Sequence, residues 1–321
     1  MKTLRIPHAD DLQVSRIGCG CMHLSRAWDD TAITAAEIST TLKLVETALE
    51  QGVTLFDHAD IYARGKSEQL FGEALRQIPE LRGRIVLQSK CGIRVAGAPG
   101  AHSPARYDFS RGHIVRSVEG TLKRLDTDHL DVLLLHRPDP LMDPAEVARA
   151  FDQLQSSGKV LHFGVSNHNA AQISLLQEHL EQPLVVNQVE LSLLHHQLIS
   201  DGLLFNQPGE TGVGRTLDYC REYGILVQAW SPLAGGRLFA DAPGKELRPA
   251  AELVAQLAEA KQVAAEAILL AWLLKHPAGI QPILGTTNPV RFIASCQADA
   301  IELDREEWYA LLAAVRGVGV P

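Results

Sequence analysis

The chain has no run of five or more basic residues and carries a formal net charge of −8, which makes nucleic acid a poor partner for it. It also lacks any window of about eighteen uncharged apolar residues, so no segment reads as membrane-spanning. The opening Met1-Lys2-Thr3-Leu4-Arg5-Ile6-Pro7 has no apolar leader stretch, and the expected location is the cytoplasm. Cysteine is sparse. Five in 321 residues, an odd number, build no disulfide framework. Cys19-Gly20-Cys21 with His23 resembles a metal corner, but no second Cys/His cluster completes four ligands; small apolar packing is the expected role. His195-His196 likewise stand without further ligands and read as surface or pocket rim. Finally, the fingerprint G-x-G-x-x-G is absent, because Gly18-Cys19-Gly20 is followed by His at position 23.

What is present is an alternation. Hydrophobic content of 46% and charged content of 21% supply a sizeable core. A hairpin is expected near residues 4–6 and 12–14. Strand-like runs then fall at 16–20, 54–56, 85–88, 130–135, 162–165, 184–189, 225–229 and 281–284. Each is followed by apolar residues at helical spacing, as with Ile38, Leu42, Val45 and Leu49. The last helix pair covers 289–296 and 305–315. Strict strand–helix alternation implies a parallel sheet, and continuously apolar strands imply helices on the outside. Eight such units over about 250 residues fit an α/β fold, a closed (β/α)₈ TIM barrel with an N-terminal hairpin and an extra C-terminal helix. An open doubly wound sheet is the competing architecture. No linker or charge block interrupts the chain, so one domain over 1–321 is expected. The irregular connection 91–109 is long enough to be functional or mobile, and 207–214 is a loop rich in Gly and Pro.

In a barrel, active sites gather at the C-terminal strand ends. Asp57 ends the second run, Ser89-Lys90 the third and His136 the fourth, with Tyr62 five residues beyond Asp57. A phenol ordinarily loses its proton near pH 10. Placed between Asp57 and Tyr62, Lys90 would stay charged and draw the phenol's pKa down toward working pH. Tyr62 would then protonate an oxygen in one direction and deprotonate an alcohol in the other, while a neutral His136 holds a carbonyl oxygen. Such a group set suits carbonyl reduction but contains no reductant, so a cofactor must bring the hydride. A plain barrel-mouth salt bridge between Asp57 and Lys90 is the bland alternative.

The segments Phe56-Asp57-His58-Ala59-Asp60-Ile61-Tyr62, Ser89-Lys90, Leu135-His136-Arg137, Gly158 through Asn167, Asn187-Gln188, Ala229-Trp230-Ser231-Pro232-Leu233 and Ile283-Leu284-Gly285-Thr286-Thr287-Asn288 with Arg291 together resemble the aldo-keto reductases, the NADPH-dependent barrel superfamily. The resemblance runs from Arg16 to Cys296. It implies a catalytic tetrad of Asp57, Tyr62, Lys90 and His136 and an NADP(H) cofactor, with a small-molecule carbonyl substrate and a monomeric state. Ser166, Asn167 and Gln188 would hold the nicotinamide carboxamide and Trp230 would stack under the ring. Gly20, Cys21 and Met22, together with Asp57, would touch the nicotinamide side. Ser231, Pro232, Leu233, Gly235 and Gly236, with Arg237 beside them, would wrap the pyrophosphate. The adenosine end would fall to Leu284, Gly285, Thr286, Thr287, Arg291 and Ser295.

Helix N–H groups after Asn288-Pro289, with Arg291 in the first turn, suit a 2′-phosphate. Departures from the family pattern are His58, where many relatives carry Thr or Ser; Gly285, where some carry lysine; and Ala294-Ser295, where an acidic residue and Asn are common. Two rival functions stay open: a redox-sensing regulatory subunit that binds NADPH with little turnover, and a metal-dependent barrel hydrolase built on Asp57, His58 and His136.

Overall fold

Thr34 starts the first long helix, α1 (Ala35–Glu50). Its hydroxyl accepts from the Glu37 amide while the Glu37 carboxylate accepts from the Thr34 amide, a reciprocal cap. Asp304 and Glu307 do the same for the C-terminal helix (Arg305–Arg316). These signals recur along the chain, which the computed structural model describes over residues 1–98, 100–203, 215–240 and 243–319. The loop expected at 207–214 lies outside the described residues.

Eight parallel strands form a closed barrel in sequence order: β1 (Gly18–Gly20), β2 (Leu55–Asp57), β3 (Val86–Cys91), β4 (Leu130–Leu135), β5 (Val160–Ser166), β6 (Leu184–Glu190), β7 (Leu226–Trp230) and β8 (Gln281–Leu284). The seam closes where Ile283 pairs with Gly18 and Leu284 with Cys19. All eight expected strands are present, and the open-sheet alternative is excluded by this closure.

Alternation along each strand divides the core. On β4, Leu133 and Leu135 pack outward with the helices, while Val132 and Leu134 point into the barrel. The interior cluster also takes Ile6, Ala9, Leu12 and Val14. These come from the antiparallel hairpin Thr3–Ile6 and Ala9–Ser15, which packs on the interior cluster at the N-terminal end and leaves the C-terminal mouth for chemistry.

Gly18 and Gly20 are explained by the seam. A Cβ on Gly18 would fall 2.7 Å from Ile283 Cδ1, and one on Gly20 would fall 3.0 Å from the Leu284 carbonyl oxygen. For both glycines the close neighbour is β8. The 91–109 connection is not bare loop. It carries a short hairpin (Ile93–Arg94 with Arg106–Tyr107), an Arg94–Asp108 pair at 2.8 Å and the buried Phe109.

Candidate active site

Backbone rungs continue past the strand ends and fix the rim. The Cys21 amide donates to the Asp57 carbonyl at 2.8 Å, His58 to Gln88 at 2.8 Å, Asp60 to Lys90 at 3.0 Å and His136 to Cys91 at 2.9 Å. On this frame Asp57, Lys90 and His136 meet Tyr62. Lys90, 1% exposed, donates from Nζ to Asp57 Oδ2 at 2.7 Å, the His58 carbonyl at 2.8 Å and Tyr62 Oη at 3.0 Å. An ammonium has three protons, and each has an acceptor.

Asp57 is held from below. Its Oδ1 accepts from Gln88 Nε2 at 2.6 Å and from Gln188 Nε2 at 3.0 Å. The same two amides also reach Gln228 Oε1, at 2.8 and 3.0 Å. Gln228 then donates to Gln281 Oε1 at 2.9 Å, and Gln281 to the Ser15 carbonyl at 2.6 Å. A column of amides therefore runs down the barrel axis from the Asp57 carboxylate to the hairpin. Sequence reasoning missed it. The signal was glutamine at inward positions of four otherwise apolar strands.

Burial alone works against the Lys90 ammonium, yet the Asp57 carboxylate and the Tyr62 phenol together hold its pKa above the ordinary range. Tyr62 behaves differently from the expectation. Burial raises the phenol's pKa, Lys90 lowers it, and Asp57's charge raises it again; the net shift is upward. Burial is the largest influence and outweighs the Lys90 ammonium, with Asp57's charge adding to it. His136 is held neutral: burial, then the charges of Lys90 and Arg137, push its pKa well below the usual imidazole range. Its ring stands edge-on to Tyr62 with centroids 5.9 Å apart, and its buried Nδ1 has no partner among the described residues.

Tyr62 is carried on a left-handed turn: Ala63, Arg64 and Gly65 have φ of 48°, 55° and 87°. Glu68 braces this turn from inside, accepting from Ser89 Oγ at 2.9 Å and Arg124 Nε at 2.7 Å. A Cβ on Gly65 would strike Arg124 Cδ at 2.7 Å. Beside Glu68, the buried Asp60 carboxyl is pushed up to about 7 by burial and by Glu68's charge, against Arg124. His58 is fully buried edge-on against Phe71, with neither ring nitrogen bonded among the described residues, and burial drops its pKa to about 3.

Across the mouth, Asn167 (φ 63°) links three strand ends. Its Nδ2 donates to Ser166 Oγ at 2.7 Å and the His136 carbonyl at 3.2 Å, and its Oδ1 accepts from Trp230 Nε1 at 3.0 Å. The buried Ser166 hydroxyl donates to the Gln188 carbonyl at 2.8 Å. Gln188, expected to face a cofactor, spends its amide protons inside the barrel, as above. Arg137, not singled out from sequence, lies over the Trp230 ring at 5.4 Å.

A second cleft, about 230 Å³, opens between the ends of β7 and β8. Ser231, Pro232, Leu233, Gly235 and Gly236 form one side; Leu284, Gly285, Thr286, Arg291 and Ser295 form the other. His23, Phe239 and Glu266 complete it and were not anticipated. Arg237 and Thr287 are not among its lining residues. Of the remaining expected residues, Cys21 is buried and Met22 is 39% exposed at the rim. One expectation needs correction here. The helix N-terminus at Pro289–Cys296 is already capped, since Asn288 Oδ1 accepts from the Val290 and Arg291 amides at 2.9 and 3.2 Å. The cation that lines the cleft at this place is the Arg291 side chain.

Among the described residues, no three His, Cys, Asp or Glu side chains gather as a metal site, so Cys19, Cys21 and His23 form none, and the hydrolase reading has no ligand set there. The family model for the aldo/keto reductase family matches residues 16–316. The sequence is 41% identical over 319 residues to an oxidoreductase of Bacillus subtilis (strain 168) named YcsN and described as uncharacterized, covering 99% of both chains. A 6-dehydroglucose reductase of Agrobacterium fabrum is 40% identical over 310 residues, 96% of each chain. The glycerol dehydrogenase of Gluconobacter oxydans has the same fold, with a TM-score of 0.82 at 23% identity over 99% of this chain and 97% of that one.

Proposed function

The chain belongs to the aldo/keto reductase family, and we propose that it is an NADPH-dependent reductase of aldehyde or ketone carbonyls with Tyr62 as general acid. The observation that carries this reading is the single buried ammonium shared by Asp57 and Tyr62. The residues present fit the cofactor. Arg291 offers a cation at the cleft between β7 and β8, Ser295 Oγ is buried there without a partner among the described residues, and Trp230 presents a ring anchored at its Nε1. When bound, the nicotinamide supplies the hydride.

Everything else falls to side chains. His136, neutral, holds the carbonyl oxygen by a hydrogen bond, and Tyr62 Oη gives that oxygen its proton. The raised pKa keeps the phenol protonated at neutral pH, the form needed for reduction. Lys90, held charged by Asp57, stabilises the tyrosinate left behind, and the amide column holds the Asp57 carboxylate in place. Ser166 and Asn167 would hold the nicotinamide carboxamide, and Arg291 would meet the 2′-phosphate.

The substrate side favours a small hydroxylated carbonyl compound. A cleft of about 430 Å³ beside Trp230 is lined by Arg137, Gln172, Glu190 and His195 among others, groups that can accept from and donate to hydroxyls. The 6-dehydroglucose reductase relative agrees with that class.

The test is NADPH oxidation with matched hydroxylated and apolar aldehydes, with and without a chelator. Steady turnover that survives the chelator and favours the hydroxylated set is expected. NADPH binding with no turnover on any carbonyl would replace the reductase by a cofactor-sensing role.

A further inference from the structure

Glu266 is the only charged residue in the helix Ala265–Leu274, whose residues 267 to 274 are all buried. It stands in the first turn, with its side chain 15% exposed, and lines the cleft between β7 and β8. Its Oε1 lies 3.7 Å from Arg291 Nε, an ion-pair distance too long for a hydrogen bond. No described residue donates a hydrogen bond to it. The same cleft holds Ser295, whose buried Oγ also lacks a partner, and the Phe239 ring, 5.9 Å from the Arg291 guanidinium. One wall of a small cleft thus offers an aromatic face, a cation, an unbonded hydroxyl and an unbonded carboxylate. At position 294 the adjoining helix offers only an alanine methyl.

We propose that Glu266 reads the exocyclic amine of the cofactor's adenine. An ionised carboxylate accepts and never donates, so it favours a base with an amino group at that edge and rejects one with a keto oxygen. Ser295 Oγ would satisfy the neighbouring ring nitrogen, Phe239 the ring face and Arg291 the phosphate. The carboxylate comes from the neighbouring helix because the helix after β8 carries none. This inference rests on the NADPH reading above and assigns its adenine end.

The experiment is a fluorescence titration of the full chain with NADPH and with its hypoxanthine analogue, in wild type, Glu266→Ala and Glu266→Gln. Loss of one charged hydrogen bond corresponds to about tenfold. Wild type should bind NADPH about tenfold more tightly than the analogue. Glu266→Ala should bring the two to within about twofold of each other while still binding NADPH. Glu266→Gln should also lose the discrimination, because a rotatable amide accepts from the amine or donates to the keto oxygen equally well. Thermal melting checks that both variants are folded. Unchanged discrimination in the variants overturns the proposal. So does tighter NADPH binding at constant discrimination, which would make Glu266 a counter-ion of Arg291 only. Failure of wild type to bind either dinucleotide would instead sink the cofactor reading itself.

Discussion

Lys90 Nζ lies 2.7 Å from Asp57 Oδ2 and 3.0 Å from Tyr62 Oη, so one buried cation serves a carboxylate and a phenol together. Burial outweighs that cation's pull on the phenol, which stays above its ordinary pKa of 10. Reduction should therefore hold constant across the neutral range, because the acid form of Tyr62 is fully populated there. Alcohol oxidation needs the tyrosinate and should keep climbing with pH beyond about 9. Rate profiles in both directions check this. An oxidation plateau at neutral pH would mean that Lys90 lowers the phenol's pKa after all.

Arg291 is the cation left for a 2′-phosphate once Asn288 has taken the helix amides. Arg291→Ala should weaken NADPH by about ten- to a hundredfold, the range of a lost charge-assisted contact. NADH should change by less than about threefold. Dissociation constants for both cofactors decide it, and equal losses would remove the phosphate contact.

Gly20 faces the seam, with its would-be Cβ 3.0 Å from a backbone oxygen that cannot swing aside. Gly20→Ala should cost about 1–3 kcal/mol in urea unfolding and leave NADPH affinity within about twofold. Lost affinity at unchanged stability would return this glycine to the ligand.

Asp60 titrates near 7 in the folded chain against an ordinary 3.8. With the folded value raised, its contribution to stability is complete below about 4 and is lost as pH climbs through 7. Asp60→Asn removes that loss. Its melting temperature relative to wild type should rise between pH 5 and pH 8. His58, depressed to about 3, acts in the opposite sense: stability present above about 6.5 is lost as pH falls toward 3. A constant difference across pH would show that Asp60 does not change its charge on unfolding in this range.

The barrel was legible because most strands are apolar and short and several of the helices after them start on readable caps, at Thr34, Ser110, Asp143, Asn169 and Asn288. Asp57, Tyr62, Lys90 and His136 were legible because strand ends in a barrel converge, and the structure brings these four together. What hid were features set by distance rather than by order. Nothing local marks Gln88, Gln188, Gln228 and Gln281 as one hydrogen-bonded column, since they lie on four strands. The sign of Tyr62's shift depends on how far burial of the phenol outweighs Lys90's field, which spacing alone cannot give. Gly20 packs against the last strand of the barrel, more than two hundred residues on, and Asn288 occupies helix amides that its own motif advertised as free.

The most direct test is Tyr62→Phe, measured for both turnover and NADPH affinity. Removing one oxygen leaves the ring and the fold, so NADPH should bind within about twofold of wild type while kcat for reduction falls by about 10² to 10⁴. Retained turnover would show that the proton comes from elsewhere, and Tyr62 would lose its place as the acid.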